Sequence, residues 1–236
     1  MQRYFKDTNL DLFELSVDDS YHITKVMRNK IGDKIEVVID KKLYICEIVE
    51  LKDLVKVQRI EEVICDSELP CFVAIAQSLV KEQKMDLILQ KSCELGVSEI
   101  IPINATRSIV KLDKKETKKI DRWNKILKEA SEQSKRVVIP KVNEKMDIKD
   151  LTNLDYDIKI LCTVNELSMS LKKVLDKDLT NLKILFVIGP EGGLEEKDVE
   201  YLKQNGATVV TLGNRILRTE TVALNLLSII MYELEN

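Results

Sequence analysis

Two rhythms of apolar and polar residues divide the chain. From residue 31 to residue 60 the apolar positions fall in short β-rich runs, IGDKIEVVID, KKLYICEIVEL and VKVQRI. Polar punctuation at Gly32-Asp33 and Asp40-Lys41-Lys42 separates them, which predicts the strands of a small β-barrel-like domain. Ahead of them, residues 18–29 (DDSYHITKVMRN) predict a short helix with an Asp or Ser cap. Residues 66–70 (DSELP) predict a linker, because Pro and short polar side chains interrupt both strand and helix.

Beyond Pro70 the rhythm changes. CFVAIAQSL is a continuous apolar run of the kind buried on both faces of a parallel sheet. KEQKMDLILQKSCELG is an amphipathic helix stopped by Gly96, and VSEIIPINA is the next strand. Residues 115–135 predict a long helix with Trp123, Ile126, Leu127 and Ala130 on one face. Then follow YDIKILCTV (strand), MSLKKVLD (helix), KILFVIGPEGG (strand into a Gly loop), EEKDVEYLKQNG (helix closed by Gly206), ATVVTLG (strand) and a final apolar helix over 221–234. Strands alternating with helices predict an α/β domain with a mostly parallel sheet. The expected boundaries are 1–70 for the β-barrel domain and 71–236 for the α/β domain. No internal repeat is evident.

Composition narrows the class. Of 236 residues, 44% are apolar, enough for a real core, and 33% are charged. Five cysteines lack metal-binding spacing, which points to reduced thiols in the cytoplasm and to no metal. The start MQRYFKDTNL lacks the apolar core of a signal peptide, and no run approaches the roughly 18 apolar residues of a membrane span. The net charge is −3, so the chain is not a globally basic nucleic-acid binder. Any RNA contact must come from local basic patches.

Several segments carry chemistry. Residues 188–193 (IGPEGG) follow a buried strand, where three glycines let backbone approach a ligand at the carboxyl end of a parallel sheet. The spacing matches neither GxGxxG nor a phosphate-binding GK[ST] loop, and the glycines are equally compatible with a plain strand-to-helix turn. Residues 212–221 (LGNRILRTET) also follow a strand and crowd two arginines, a glutamate and two threonines between apolar elements. Arg215 and Arg218 offer forked donors; Thr219 and Glu220 also suit a helix N-terminus. Residues 77–81 (QSLVK), 107–111 (RSIVK) and 129–136 (EASEQSKR) are weaker and read as solvated faces when taken singly. His22 is the single histidine; it sits in a helical pattern with no triad or metal partner nearby.

Taken together, residues 77–81, 90–97 (QKSCELGV), 107–110, 129–134, 188–193 and 212–221 resemble the bacterial 16S ribosomal RNA uridine-N3 methyltransferases, a branch of the SPOUT, trefoil-knotted methyltransferases. Arg3-Tyr4-Phe5 and His22 with Val26-Met27-Arg28 fit that family's PUA-like barrel. The resemblance runs over nearly the whole chain in the family's order. It implies a knotted α/β domain binding S-adenosylmethionine (SAM), a PUA-like RNA-binding domain, and a homodimer whose second subunit helps complete each site. It implies N3-methyluridine in 16S ribosomal RNA of the 30S subunit as product. A knotted methyltransferase acting elsewhere, such as on a tRNA 2′-O-ribose, and a non-catalytic RNA-binding assembly factor are the alternatives.

On this resemblance SAM should meet Thr163, Glu166, Ile188, Gly189, Pro190, Gly192, Gly193, Leu212, Gly213, Ile216, Leu217 and Thr221. Neutral uracil N3 is a poor nucleophile. An arginine donating to a uracil carbonyl would stabilise the charge that develops there, and Arg218 suits this role. A carboxylate could accept the N3 proton, and Glu191 or Glu220 is placed to try. Phosphate contacts are expected from Arg3, Lys25, Arg28, Lys81, Arg107, Lys135 and Arg136.

Overall fold

In the computed structural model, which describes residues 1–107, 116–163 and 169–235, the chain falls into two units. The first comprises Met1–Glu68 together with Ser131–Val138. Its strands are β1 (Arg3–Phe5), β2 (Leu12–Glu14), β3 (Lys34–Ile39), β4 (Lys42–Leu51) and β5 (Val55–Val63). They pair in the order β1-β3-β4-β5-β2, with β1 parallel to β3 and the others antiparallel. The polar punctuation at Asp40-Lys41 is a two-residue hairpin turn. Both residues lie in the left-handed region (φ 47° and 62°), the geometry that matches the twist of the flanking strands.

Alternation along β3 sends Ile35, Val37 and Ile39 into a core with Tyr4, Phe13, Ile23, Cys46, Ile48 and Val57. Val38 faces the other way, onto Leu43 and Val137. Register shifts between Ile45/Cys46 and Ile48/Glu50 mark bulges where β4 bends. The helix before β3 starts earlier and is shorter than the pattern predicts. It is α1 (Val17–Tyr21), capped by the Ser16 hydroxyl accepting from the Asp19 amide, and it continues as a π-helical turn over His22–Val26. His22 meets the Tyr4 hydroxyl at 3.0 Å. Burial pushes that phenol's pKa well up, so the hydroxyl keeps its proton in this structural contact.

Two residues expected to touch RNA are buried instead. Arg3 and Arg136 are only 4% and 3% exposed. Arg3 Nε lies 2.9 Å from Glu36, and its Nη1 donates to the Lys135 carbonyl. Arg136 meets Glu68 at 2.6 Å, and the other Glu68 oxygen accepts the Val137 and Val138 amides. A buried guanidinium needs an anion beside it; both found one inside the protein and pin residues 131–138 to this unit. Lys135 keeps 42% side-chain exposure, but its ammonium is held 3.0 Å from Glu36.

The second unit comprises Leu69–Ala130 and Ile139–Asn236. Its strands are β6 (Phe72–Ser78), β7 (Glu99–Asn104), β8 (Lys141–Val142), β9 (Met146–Asp147), β10 (Ile158–Cys162), β11 (Lys183–Ile188) and β12 (Thr208–Val210). Its helices are α2 (Glu82–Glu94), α3 (Glu116–Gln133), α4 (Leu171–Val174), α5 (Glu196–Gln204) and α6 (Thr219–Glu235). The sheet is parallel throughout, in the order β12-β10-β11-β6-β7, with β8 and β9 both on the far edge of β7.

The unbroken apolar runs of β6 and β11 are explained by burial on both faces. Val73, Ile75, Ile184, Phe186 and Ile188 pack towards α2, α3 and α6. Ala74, Ala76, Leu185 and Val187 pack towards α5 and a 3₁₀ turn at Ile148–Asn153. Gly96 ends α2 at φ +88°, and a Cβ there would stand 2.7 Å from Leu69 Cδ1, so this stop admits only glycine without rearrangement. Among the described residues no helix is long and apolar enough to cross a membrane.

Candidate active site

Register brings distant segments to one line. Val210 pairs with Cys162, Cys162 with Ile188, and Ile188 with Gln77. Because these strands are parallel, all four loops that follow leave from the same edge of the sheet, where parallel α/β folds bind ligands. The two Gly-bearing segments singled out in the sequence are therefore neighbours in space.

A cleft of about 240 Å³ opens there. Thr163, Leu212, Gly213, Ile216 and Leu217, named above for SAM, are among the residues that line it. Asn214 and Arg215, within the expected 212–217 loop, also line it, as do Cys162, Thr211 and Val222, which were not expected. Cys162 and Thr211 have a recognisable signal after the fact: each adjoins the end of a strand whose loop forms the cleft. Glu166 lies outside the described residues. The Thr211 hydroxyl accepts the Gly213 amide at 3.2 Å, and Gly213 takes φ +110°, where a side chain would strain the turn. Ile216 is 82% exposed, an apolar surface open to a flat partner. Burial raises the Cys162 thiol to about 12, so it is a neutral wall and no nucleophile.

Gly189, Pro190, Gly192 and Gly193 do not line this cleft, and neither does buried Ile188 or exposed Thr221. The glycine loop is instead tied to the start of α6. The Thr219 hydroxyl donates to the Gly189 carbonyl at 2.8 Å and accepts from Gln77 Nε2 at 3.0 Å. Thr219 thus spends its side chain between elements and does not cap its own helix. The first helical bond runs from the Val222 amide to the Arg218 carbonyl at 2.9 Å. That fixes the backbone of Arg218 while its side chain stays exposed.

The carboxylates sit around one lysine. Lys84 Nζ is 2.9 Å from Glu191 and 3.3 Å from Glu220. The Lys84 hydrogen bond, with help from Lys81, holds the Glu191 carboxyl below the usual carboxylate range despite its partial burial. Glu191 in turn raises Lys84, burial opposes this, and Glu220 adds to it. Glu191 is therefore ionised at neutral pH, with Lys84 paired to its Oε1. Arg107, expected to hold phosphate, is exposed and donates to the Gly192 carbonyl at 3.2 Å, so it borders the glycine loop. The arrangement supplies a ligand cleft walled by backbone and apolar side chains, an exposed arginine beside it, and a carboxylate held in its anionic form.

Comparison with known proteins agrees with this geometry. An RNA methyltransferase domain family matches residues 67–231, and an RNA methyltransferase PUA domain family matches residues 15–58. The chain is 38% identical to the ribosomal RNA small subunit methyltransferase E of Bacillus subtilis, over 100% of this chain and 98% of that one. The structure of the ribosomal RNA small subunit methyltransferase E of Neisseria gonorrhoeae, bound to S-adenosyl methionine, superposes with a TM-score of 0.90 at 29% identity, covering 99% of this chain and 98% of that chain. A methyltransferase of Legionella pneumophila, solved with bound SAM, has a TM-score of 0.89 at 28% identity, covering 98% and 97%. A full-length match at this identity, a parallel α/β unit with its cleft at the carboxyl edge and a β-rich N-terminal unit lead to one conclusion: this chain belongs to the family of ribosomal RNA small subunit methyltransferase E, joining a PUA domain to an RNA methyltransferase domain.

Proposed function

We propose that the protein transfers a methyl group from SAM to N3 of a uridine in 16S ribosomal RNA of the small subunit. The observation that carries this is the cleft at the carboxyl ends of β10 and β12, because relatives of the same fold hold SAM. Its residues suit the group. Backbone between Leu212 and Leu217 can hydrogen-bond an adenine edge, while Leu212, Ile216, Leu217 and Val222 supply apolar faces for its ring. Thr163 and the glycine loop at 189–193 are the proposed boundary on the methionine side. When bound, SAM supplies a methyl group on a positively charged sulfur.

The chain's own residues do the remainder. They align the uracil ring, exclude water and manage one proton. Arg218, exposed and next to the cleft wall at Leu217, donates to a uracil carbonyl and stabilises the negative charge gathering on it. Glu191, ionised at neutral pH, accepts the N3 proton. The C-terminal segment threads the trefoil knot of the SPOUT fold. A homodimer forms through the part of α6 left outside the core, where Tyr232 is 66% exposed. The substrate is the 30S particle in the cytoplasm, recognised through phosphates and a base turned out of its stack.

Two measurements test this. Calorimetry should give one SAM site per chain, and mass spectrometry of small-subunit RNA from a deletion strain should show 3-methyluridine restored by this gene. A restored 2′-O-methyl nucleoside, or no SAM binding at all, would replace the proposal with one of its alternatives.

Phosphate contacts are assigned to the exposed Lys25, Arg28, Lys81 and Arg107. A Lys25→Gln/Arg28→Gln double variant should weaken binding evenly across RNA sequences and reduce the slope of log affinity against log salt by about two. An unchanged slope in a filter-binding titration would remove this pair from the interface.

A further inference from the structure

We infer that Lys84 is a positioning residue for methyl transfer: by bridging Glu191 on the loop after β11 and Glu220 in the first turn of α6, its ammonium holds the proton-accepting carboxylate in register with the segment that carries Arg218. The inference rests on the methyl-transfer function proposed above.

The geometry is specific. One Nζ reaches two carboxylates from different elements, at 2.9 and 3.3 Å. Glu220 Oε2 is sealed from solvent and makes no hydrogen bond among the described residues, so the ion pair with Lys84 offsets its burial. Without the lysine, two carboxylates would face each other across the opening and push the glycine loop and the start of α6 apart.

Lys84 is not what keeps these segments folded. A second fastening, Gln77 to Thr219 to Gly189, joins the same two segments from the buried side. The Lys84 and Glu191 side chains are 29% and 38% exposed, and an ion pair so placed adds little to stability. What remains for Lys84 is alignment and charge. Among the described residues, the charged groups facing Glu191 support this division. Lys84 on α2 and Lys81 just before it favour its anion, Glu220 on α6 is reached through Lys84, and Arg107 is engaged with the neighbouring Gly192 carbonyl.

The sign of the pH effect follows. Lys84 depresses the Glu191 pKa, so the acid limb of the rate profile lies low in the parent protein. Removing the lysine lets that pKa rise, and the limb moves to higher pH.

The experiment uses the full chain, tritiated SAM and small subunits from a deletion strain, with total methyl transfer measured under single-turnover conditions from pH 4.5 to 9. Lys84→Met should lower the transfer rate about 10²-fold, as misplacement of a reacting group does. It should leave SAM affinity within about twofold and shift the acid limb upwards. Lys84→Arg should restore most of the rate and the parent limb. Lys84→Gln, neutral and polar though one atom shorter, serves if the Met variant misfolds, with thermal melting as the check. Parent-like rate and profile in the neutral variants overturn the inference. So does a loss of rate with an unmoved limb and no rescue by arginine, which would make Lys84 merely structural. If the parent itself transfers no methyl group, the function proposed above fails, and that outcome is distinct because it shows without any variant.

Discussion

Arg218→Ala is expected to bind SAM as tightly as the parent and to transfer methyl groups about 10²–10³-fold more slowly, the usual loss when one donor to a developing negative charge is removed. Several observations set this expectation. The residue follows Leu217, a wall of the cleft, and precedes Thr219, which is buried and bonded to Gly189. Its carbonyl begins the hydrogen-bond ladder of α6, which an alanine maintains unchanged. Its side chain is exposed and has no carboxylate partner among the described residues, so deletion leaves no buried charge behind and stability should change by less than about 0.5 kcal/mol. The effect should fall on kcat. Arg218→Lys retains the charge without the planar fork and should recover only part of the rate. Calorimetry for SAM beside single-turnover transfer separates the two quantities. Parent-level transfer by the alanine variant would remove Arg218 from the chemistry.

Arg136→Met should destabilise the protein by about 3–5 kcal/mol, because it breaks a buried ion pair from one side. Arg136 is 3% exposed and holds Glu68 through Nε and Nη2. Glu68 also accepts the Val137 and Val138 amides, so its carboxylate stays in place after the substitution, with its main counter-charge gone. For a chain of this length such a loss corresponds to a fall in Tm of roughly 6–20 °C. The variant discriminates between two roles. An RNA contact would alter the salt dependence of binding and spare the melting temperature. A structural pin does the reverse. Calorimetric melting next to RNA titration at several salt concentrations decides it, and a Tm within a degree or two of the parent would count against the buried pair.

Element types were largely legible because apolar periodicity reflects burial directly. The double-sided burial of β6 and β11 is written as unbroken apolar runs, and the Asp40-Lys41 turn as a polar pair between alternating strands. Short edge pieces were not legible. β1, β2, β8 and β9 are two or three residues long, too short for a period to show. The π-helical turn at His22–Val26 was equally hidden, since its sequence still reads as ordinary helix. Of the candidate site, Leu212, Gly213, Ile216 and Leu217 were named through the family resemblance of residues 212–221, and the structure places them around one cleft.

By itself, then, the sequence determined the longer strands and helices and where the chain changes from a β-rich to an α/β pattern. These are local properties, set by side-chain period and backbone freedom within a dozen residues. Tertiary structure alone decided the pairing of charges. Arg3 and Arg136 turned inward because Glu36 and Glu68 met them there, and Lys84 came to lie between Glu191 and Glu220. Each such pair joins residues that are tens to more than a hundred positions apart. Whether an arginine faces RNA or a buried carboxylate depends on what the fold brings within about 4 Å, and no local pattern encodes that distance.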